Sequence, residues 1–514
     1  MAKAPRIPLV GSYTNRNTNP SGFLTKDQQF INCFPTVVEN QITGKKDLKL
    51  NKRNGFTASS ALSGVAEGLF GQCVWTGHSN IKSPVMLAYG NTGSTSMSFW
   101  DAVTSTKIGG DISTVYACYG VSETLISGTS NLVAILGDSS TSALEAWFLA
   151  EGGAWTQITD ADFPANLGTP EVIVGNAAHL GGYMFVMTRK GNVWNSDLNS
   201  LSSWSANNFI AAQIMPDTGV GLAKYGDTIA AFGKFSIEFF RNNGNPSGSP
   251  LVRIESATVR MGALPYSYPD VDSGGTSTIF PFGDTVYFLG IAPESGAIGM
   301  YRLNGGKPDK VSNEAIDILL AAGNLLGIVG SMTLFGMTHI VMRTTGLSGL
   351  GIPCFCVELN FWWIVKFANG ETPLAVAGGS PINNSTQFNA FNALSSAKIF
   401  KITSGSAIYQ DDGSAYTMTV QTENIDFGTD AVKFMPRLRI IGDTQSSTSN
   451  LAVSYSDDDF ANFTSAGNID LSSADKSIGP LGQFRRRSIK LTHAANTPCR
   501  LEAMEFQDLF VGTT

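Results

Sequence analysis

Tyr225-Gly-Asp-Thr-Ile-Ala-Ala-Phe232 is answered later in the chain by Phe282-Gly-Asp-Thr-Val-Tyr-Phe-Leu289. Each copy sets an aromatic residue before a Gly-Asp turn and an apolar run after it, which is the signature of a tight hairpin. Each is followed by a further apolar run, Ser236–Phe240 in the first case and Gly299–Leu303 in the second. The same pattern extends outward from about Leu69 to Ile408, as in Val85–Tyr89 with Met97–Trp100, Val133–Leu136 with Ala146–Leu149, and Gly182–Thr188 with Gly191–Trp194. One unit every 45–60 residues is close to the period of a four-stranded propeller blade.

The expected fold is therefore all-β: a β-propeller-like body of about six or seven blades at residues 61–414, with a two-sheet sandwich carrying long loops as the structural alternative. The stretch 415–514 reads as a separate C-terminal β-sandwich-like module, with strands near Tyr416–Gln421, Arg437–Ile441, Leu451–Tyr455, Arg487–Leu491 and Arg500–Phe506. Residues 1–60 scatter Asn, Pro, Lys and Gly without periodicity and read as an extended N-terminal arm.

Composition agrees. Of 514 residues 43% are hydrophobic and only 15% charged, with 55 Gly and 31 Phe, which suits short strands and tight turns better than amphipathic helices. Met1–Ser12 has no apolar core of the kind a secretion signal needs, and Ala315–Leu326 and Phe361–Phe367 are too short to cross a bilayer of roughly 30 Å. Assembly in the cytoplasm, without membrane insertion, is the expectation. The net charge of −7 is uneven: residues 1–56 hold nine Lys/Arg against three acids, a net +6, leaving −13 for the remainder. So acidic a body is poorly suited to grip DNA, since duplex affinity comes from cations on phosphate.

No catalytic pattern stands out. His78, His179, His339 and His493 lie far apart, and no H-E-x-x-H, G-x-S-x-G or phosphate-loop motif occurs. His339, between strand residues, reads as a structural side chain. The cysteines, at 33, 73, 118, 354, 356 and 499, lack C-x-x-C spacing and are expected reduced; Cys354 and Cys356 share one strand face as small apolar fillers. Asp457-Asp-Asp459 lacks the spacing of a calcium loop and reads as a hairpin turn. Ser454-Tyr-Ser-Asp-Asp-Asp-Phe460 faintly resembles the Asp-box turn of glycan-processing propellers, which keeps open a tail-associated glycan-binding or glycan-cleaving propeller; a pair of close carboxylates would mark it. No cofactor or metal is expected.

Three stretches resemble the family of phage packaged-DNA stabilisation proteins, the tail-hub proteins of short-tailed phages. The first is Asp27-Gln-Gln-Phe-Ile-Asn-Cys-Phe-Pro35, followed by Lys45–Lys49 and Asn54-Gly-Phe56. The second runs from Phe235-Ser-Ile-Glu-Phe-Phe-Arg-Asn-Asn-Gly244 through Arg260-Met-Gly-Ala-Leu-Pro-Tyr266 and Thr285–Gly290 to Met300–Gly305 and Lys310-Val-Ser312. The third comprises Val453–Asp459, Ser477–Arg487 and Glu502–Phe506. The departures are Phe34 for the usual Tyr, Arg53-Asn-Gly for Thr-Pro-Gly, and missing glycines at Asp459-Phe460.

The resemblance implies a non-enzymatic virion protein below the portal and adaptor rings, a homohexamer that retains packaged DNA, passes it without sequence-specific binding, and carries tail fibre, needle or spike proteins. Candidate interaction residues are Lys45, Lys46, Lys49, Lys52 and Arg53 on the basic arm, expected to dock on a neighbouring ring, and Arg485, Arg486 and Arg487. The three arginines should alternate across a surface strand, pairing with the Asp457–Asp459 turn or protecting an edge, so they cannot form one phosphate patch.

Overall fold

A computed structural model describes residues 5–9, 28–39, 46–58, 71–75, 85–91, 95–101, 106–137, 143–215, 217–245, 247–265, 277–292, 294–323, 325–344, 351–368, 387–392, 396–403 and 408–512. Antiparallel sheets succeed one another along the chain: residues 71–113, 117–157, 173–211 and 219–253 each form four strands in sequence order, and 262–310 form five. Residues 325–365 add four more in the same order, and 387–403 form two strands completed by Thr57–Ala58 from the N-terminal region. Among the described residues these are seven blades of a β-propeller.

The repeated motif sits at the same place in blades four and five. Tyr225 pairs with Thr228 and Phe282 with Thr285, closing two-residue hairpin turns in which Gly226 and Gly283 take φ of +59° and +57°. Positive φ is what glycine adopts without a Cβ clash. From 117–126 onward the first strand of each blade, or Ile279–Phe282 in blade five, lies beside its counterpart in the next, as inner strands about a common axis do.

Apolar side chains fill the gaps between blades. Trp75, Phe99, Leu132 and Trp155 join blades one and two; Val133, Phe163, Met184 and Trp204 join two and three. Phe185, Leu222 and Phe240 serve blades three and four, and Phe232, Phe239 and Phe288 serve four and five. Between blades five and six the helix Glu314–Ala321 inserts Ala315, Ile316, Leu319 and Leu320, its first turn capped by Asn313, whose side chain accepts from the Ile316 amide at 3.0 Å. Cys354 and Cys356 face one cluster while Phe355 between them faces another, as strand alternation requires. No helix among the described residues is long and apolar enough to cross a membrane.

The N-terminal region corrects the expectation of an extended arm. Arg6–Pro8, Gln29–Ile31, Cys33–Glu39 and Lys46–Lys52 are all strands, and they complete a sandwich whose other strands lie at 418–507. Arg6–Pro8 pairs with Arg500–Gln507, Cys33 with Lys52 across a hairpin, and Leu50 with Leu501. Gln29–Ile31 pairs with Met418–Gln421 on one side and, parallel at Ile31–Ile364, with the last strand of blade six on the other. One nine-stranded sheet thereby runs from the propeller into the sandwich. Leu9, Phe30, Phe34 and Leu50 supply apolar contacts to a cluster shared with Trp363, Leu438, Leu491 and Phe506, which local periodicity cannot reveal.

Candidate functional site: the seam between propeller and sandwich

Cys33 and Lys52 are paired residues, and the amide of Lys52 donates to the carbonyl of Cys499, so the N-terminal hairpin carries Lys52 and Arg53 into the seam. Both side chains are fully buried. Arg53 donates to both oxygens of buried Asp411, at 2.8 and 2.6 Å, and through Nε to Asn32 Oδ1 at 2.9 Å. Its guanidinium lies 3.8 Å from the centre of the Tyr416 ring, whose hydroxyl donates to the Arg53 carbonyl. Asn32 in turn donates to the carbonyls of Lys366 and Thr417 at 2.9 Å. A charge buried this deeply persists only when its donors are satisfied, and here a fork-shaped cation meets a two-oxygen anion. The network ties the N-terminal segment to the end of blade six and the start of the sandwich.

Lys52 has no carboxylate partner among the described residues. Its Nζ donates to the carbonyl of Ala495 at 2.7 Å, sits 3.3 Å from His493 Nδ1 and lies over the Tyr416 ring at 4.7 Å. Burial pushes its ammonium down to about 8. Burial, reinforced by Lys52, holds His493 down at about 4. The neutral imidazole accepts from Lys52 through Nδ1 and can donate from Nε2 to Ser449 Oγ at 2.8 Å.

The sequence candidates do not gather on one surface. Lys45 and the side chain of Lys46 lie outside the described residues. Lys49 reaches Glu502 at 3.7 Å, beside the Arg6–Glu502 pair. Lys52 and Arg53, expected to dock on a neighbour, are instead interior. Arg485 and Arg486 are exposed, Arg487 buried; the alternation fails because the strand Gln483–Phe484 ends and the chain bends at 485–486 before Ser488–His493 begins. Arg487 lies between the Tyr455 and Phe484 rings at 4.1 and 4.3 Å and holds both oxygens of Asp457 at 2.7 Å, the local pairing with that turn expected from the sequence. Asp411, Tyr416, Asn32 and His493 were not singled out as partners, and no local pattern marks them: Asp411 is 358 residues from Arg53.

The other polar features of the sequence are built into the fold. His339 is buried, accepts from Trp363 Nε1 at 3.0 Å, and is pushed down to about 3 by burial. In the Asp457–Asp459 turn, Asp458 accepts from Asn462 and Ser456, and Asn462 above all holds its carboxyl at about 2. No group of three or more His, Cys, Asp or Glu among the described residues could hold a metal ion.

Near the axis the inner strands are in backbone contact. A Cβ on Gly175, which has φ of +68°, would lie 2.9 Å from the Cα of Gly221 in the next blade, and one on Gly221 would lie 3.5 Å from the Cα of Gly175. These glycines let neighbouring strands converge where no side chain fits between them.

Solved structures that the chain partly resembles include BBS1N in complex with ARL6DN (11% identity, 69% of this chain and 98% of that one, TM-score 0.38). The mitotic checkpoint complex (10%, 67% and 94%, TM-score 0.36) and an exo-β-1,3-galactanase from Phanerochaete chrysosporium with galactose (10%, 89% and 100%, TM-score 0.27) are others. No curated protein matches the sequence. Residues 100–325 match the phage stabilisation family model described as "Bacteriophage P22 Gp10, beta-propeller". The matched span begins at the third strand of blade one, takes in blades two to five and the helix, and stops where blade six begins. Over these blades the chain is similar to the family of phage structural proteins that stabilise packaged DNA.

Proposed function

We propose that the protein is a hub or nozzle subunit of a short phage tail: a non-enzymatic component of a homo-oligomeric ring, of order six by the family resemblance, below the portal and adaptor proteins. The ring retains packaged DNA, serves as its exit conduit and anchors fibre, needle or spike proteins. The observation that carries this reading is the family match at 100–325. It is supported by the sandwich, where the strands Lys46–Lys52 and Arg500–Gln507, which carry parts of the N-terminal and C-terminal stretches that resemble tail-hub proteins, pair with each other.

In this reading the conduit runs between subunits. A propeller's own tunnel holds side chains or water rather than a duplex about 20 Å across, and here inner strands converge at Gly175 and Gly221. A wall drawn from a chain of net −7 repels phosphate and lets DNA slide, whereas a cationic wall would hold it through counterion release. Only carboxylates within about 8–10 Å of the duplex count at physiological salt. Reconstruction of the assembled particle tests the proposal. The expected result is a ring of this chain on the tail axis with an acidic or neutral lumen; a monomer, or a lumen dominated by Lys and Arg, overturns it.

A further inference from the structure

Val432, Phe434 and Phe510 are 38, 38 and 62% exposed, and they lie together at a small three-stranded sheet on one side of the sandwich. Its strands are ordered Gln483–Phe484, Lys433–Phe434, Phe510–Val511. Phe434 pairs with Phe510 and Gln483, so all three present the outer face, with the two phenyl rings 6.4 Å apart. Lys433 and Phe484 are paired on the opposite, buried face; Lys433 Nζ donates to the carbonyls of Thr429 and Arg485. The sheet is thus pinned from beneath while its aromatic face stays open.

Two exposed arginines, Arg485 and Arg486, follow the strand Gln483–Phe484 of this sheet. Of the eight arginines described in the sandwich strands and their connections, Arg6, Arg53, Arg437, Arg439, Arg487 and Arg500 each pair with a carboxylate. Arg485 and Arg486 do not among the described residues. Arg485 donates to the backbone carbonyl of Asp430 at 2.5 Å, which sets its guanidinium beside Val432. An open aromatic pair beside unpaired arginines combines the residue types that dominate binding hot spots.

We propose that this face docks an extended segment of another protein, with an apolar side chain on the Phe434–Phe510 pair and an Asp or Glu side chain on Arg485 or Arg486. The area argues for a segment rather than a second copy of the chain. At these exposures the three side chains offer roughly 300 Å², less than half of the ~800 Å² per partner in a standard interface. The charge argues for acid: a basic segment would meet two guanidiniums that form no ion pair among the described residues. The docking face stands on this geometry and holds whether or not the subunits form a ring.

The test selects a random twelve-residue peptide library against the full chain, then measures one enriched peptide, labelled, by fluorescence anisotropy. Enriched peptides should place an aromatic or aliphatic residue within a few positions of Asp or Glu. Phe510→Ser, at a surface position, should weaken binding by at least about tenfold. Arg485→Glu with Arg486→Glu should do the same and should prefer the peptide whose acids are replaced by Lys. The inference is overturned by no enrichment, by enriched peptides without this pattern, or by equal binding to Phe510→Ser. It is also overturned if sedimentation shows self-association that Phe510→Ser abolishes, since a second copy then occupies the face.

Discussion

Replacing Asp411 by Asn removes one charge from the seam and almost no volume. Arg53 keeps its bonds to Asn32 and to the carbonyl of Asn54 at 2.9 Å, but its buried guanidinium loses the anion that both terminal nitrogens contact. Asp411 also accepts from the Ala368 amide at 3.0 Å, which the Asn side-chain oxygen can still do. Breaking one half of a buried ion pair costs about 3–5 kcal/mol, because the surviving charge stays out of water. For a module of this size that lowers the unfolding midpoint by roughly 10 °C or more. Calorimetry of the full chain should show the sandwich transition moving down, with hydrogen exchange faster in Gln29–Ile31 and Cys33–Glu39 than in blades two to four. Arg437→Ala, which breaks an exposed pair with Asp475, should cost no more than about 1 kcal/mol. Arg53→Met with Asp411→Leu should cost less than Asp411→Asn, since no charge is stranded. A sandwich transition within about 1 kcal/mol of wild type in Asp411→Asn would refute the reasoning.

His493 and His339 are held neutral at about 4 and 3 against an ordinary value of 6.5. The unfolded chain therefore binds more protons, and stability present above pH 6.5 should fall by up to ~3 kcal/mol per histidine as pH drops toward 4; denaturant melts should show a shallower fall in His493→Gln. Gly175→Ala puts a Cβ against the Gly221 backbone at positive φ and should cost about 2–5 kcal/mol, whereas Gly226→Ala, with open space around it, should show only ~1 kcal/mol of backbone strain in thermal melts. Arg487→Met loosens the slot between Tyr455 and Phe484 but leaves Asp457, 37% exposed, in contact with water, so it should lower the sandwich midpoint less than Asp411→Asn does; Arg486→Ala should stay within about 0.5 kcal/mol. Loss of DNA retention in Arg485→Ala with Arg487→Ala, with assembly intact, would contradict the structural role given to Arg487.

The sequence by itself determined whatever is decided over a few residues. The Gly-Asp hairpins of blades four and five, the period of the blades and the sandwich strands at 418–507 rest on turn chemistry and alternation, which are local. The buried positions of Cys354 and Cys356 and the pairing of Arg487 with Asp457 could be read the same way. The N-terminal region is where local reading failed. Its strands alternate weakly because their partners are distant: Lys52 and Arg53 look like a solvated basic run until Asp411, Tyr416 and His493 arrive from the far end of the chain. Only the tertiary structure decided which cations were interior, because burying a charge depends on whether an anion or carbonyl stands opposite it in space. It likewise left Arg485, Arg486 and the Phe434–Phe510 pair at the surface, an arrangement set by where three short strands from separate stretches meet.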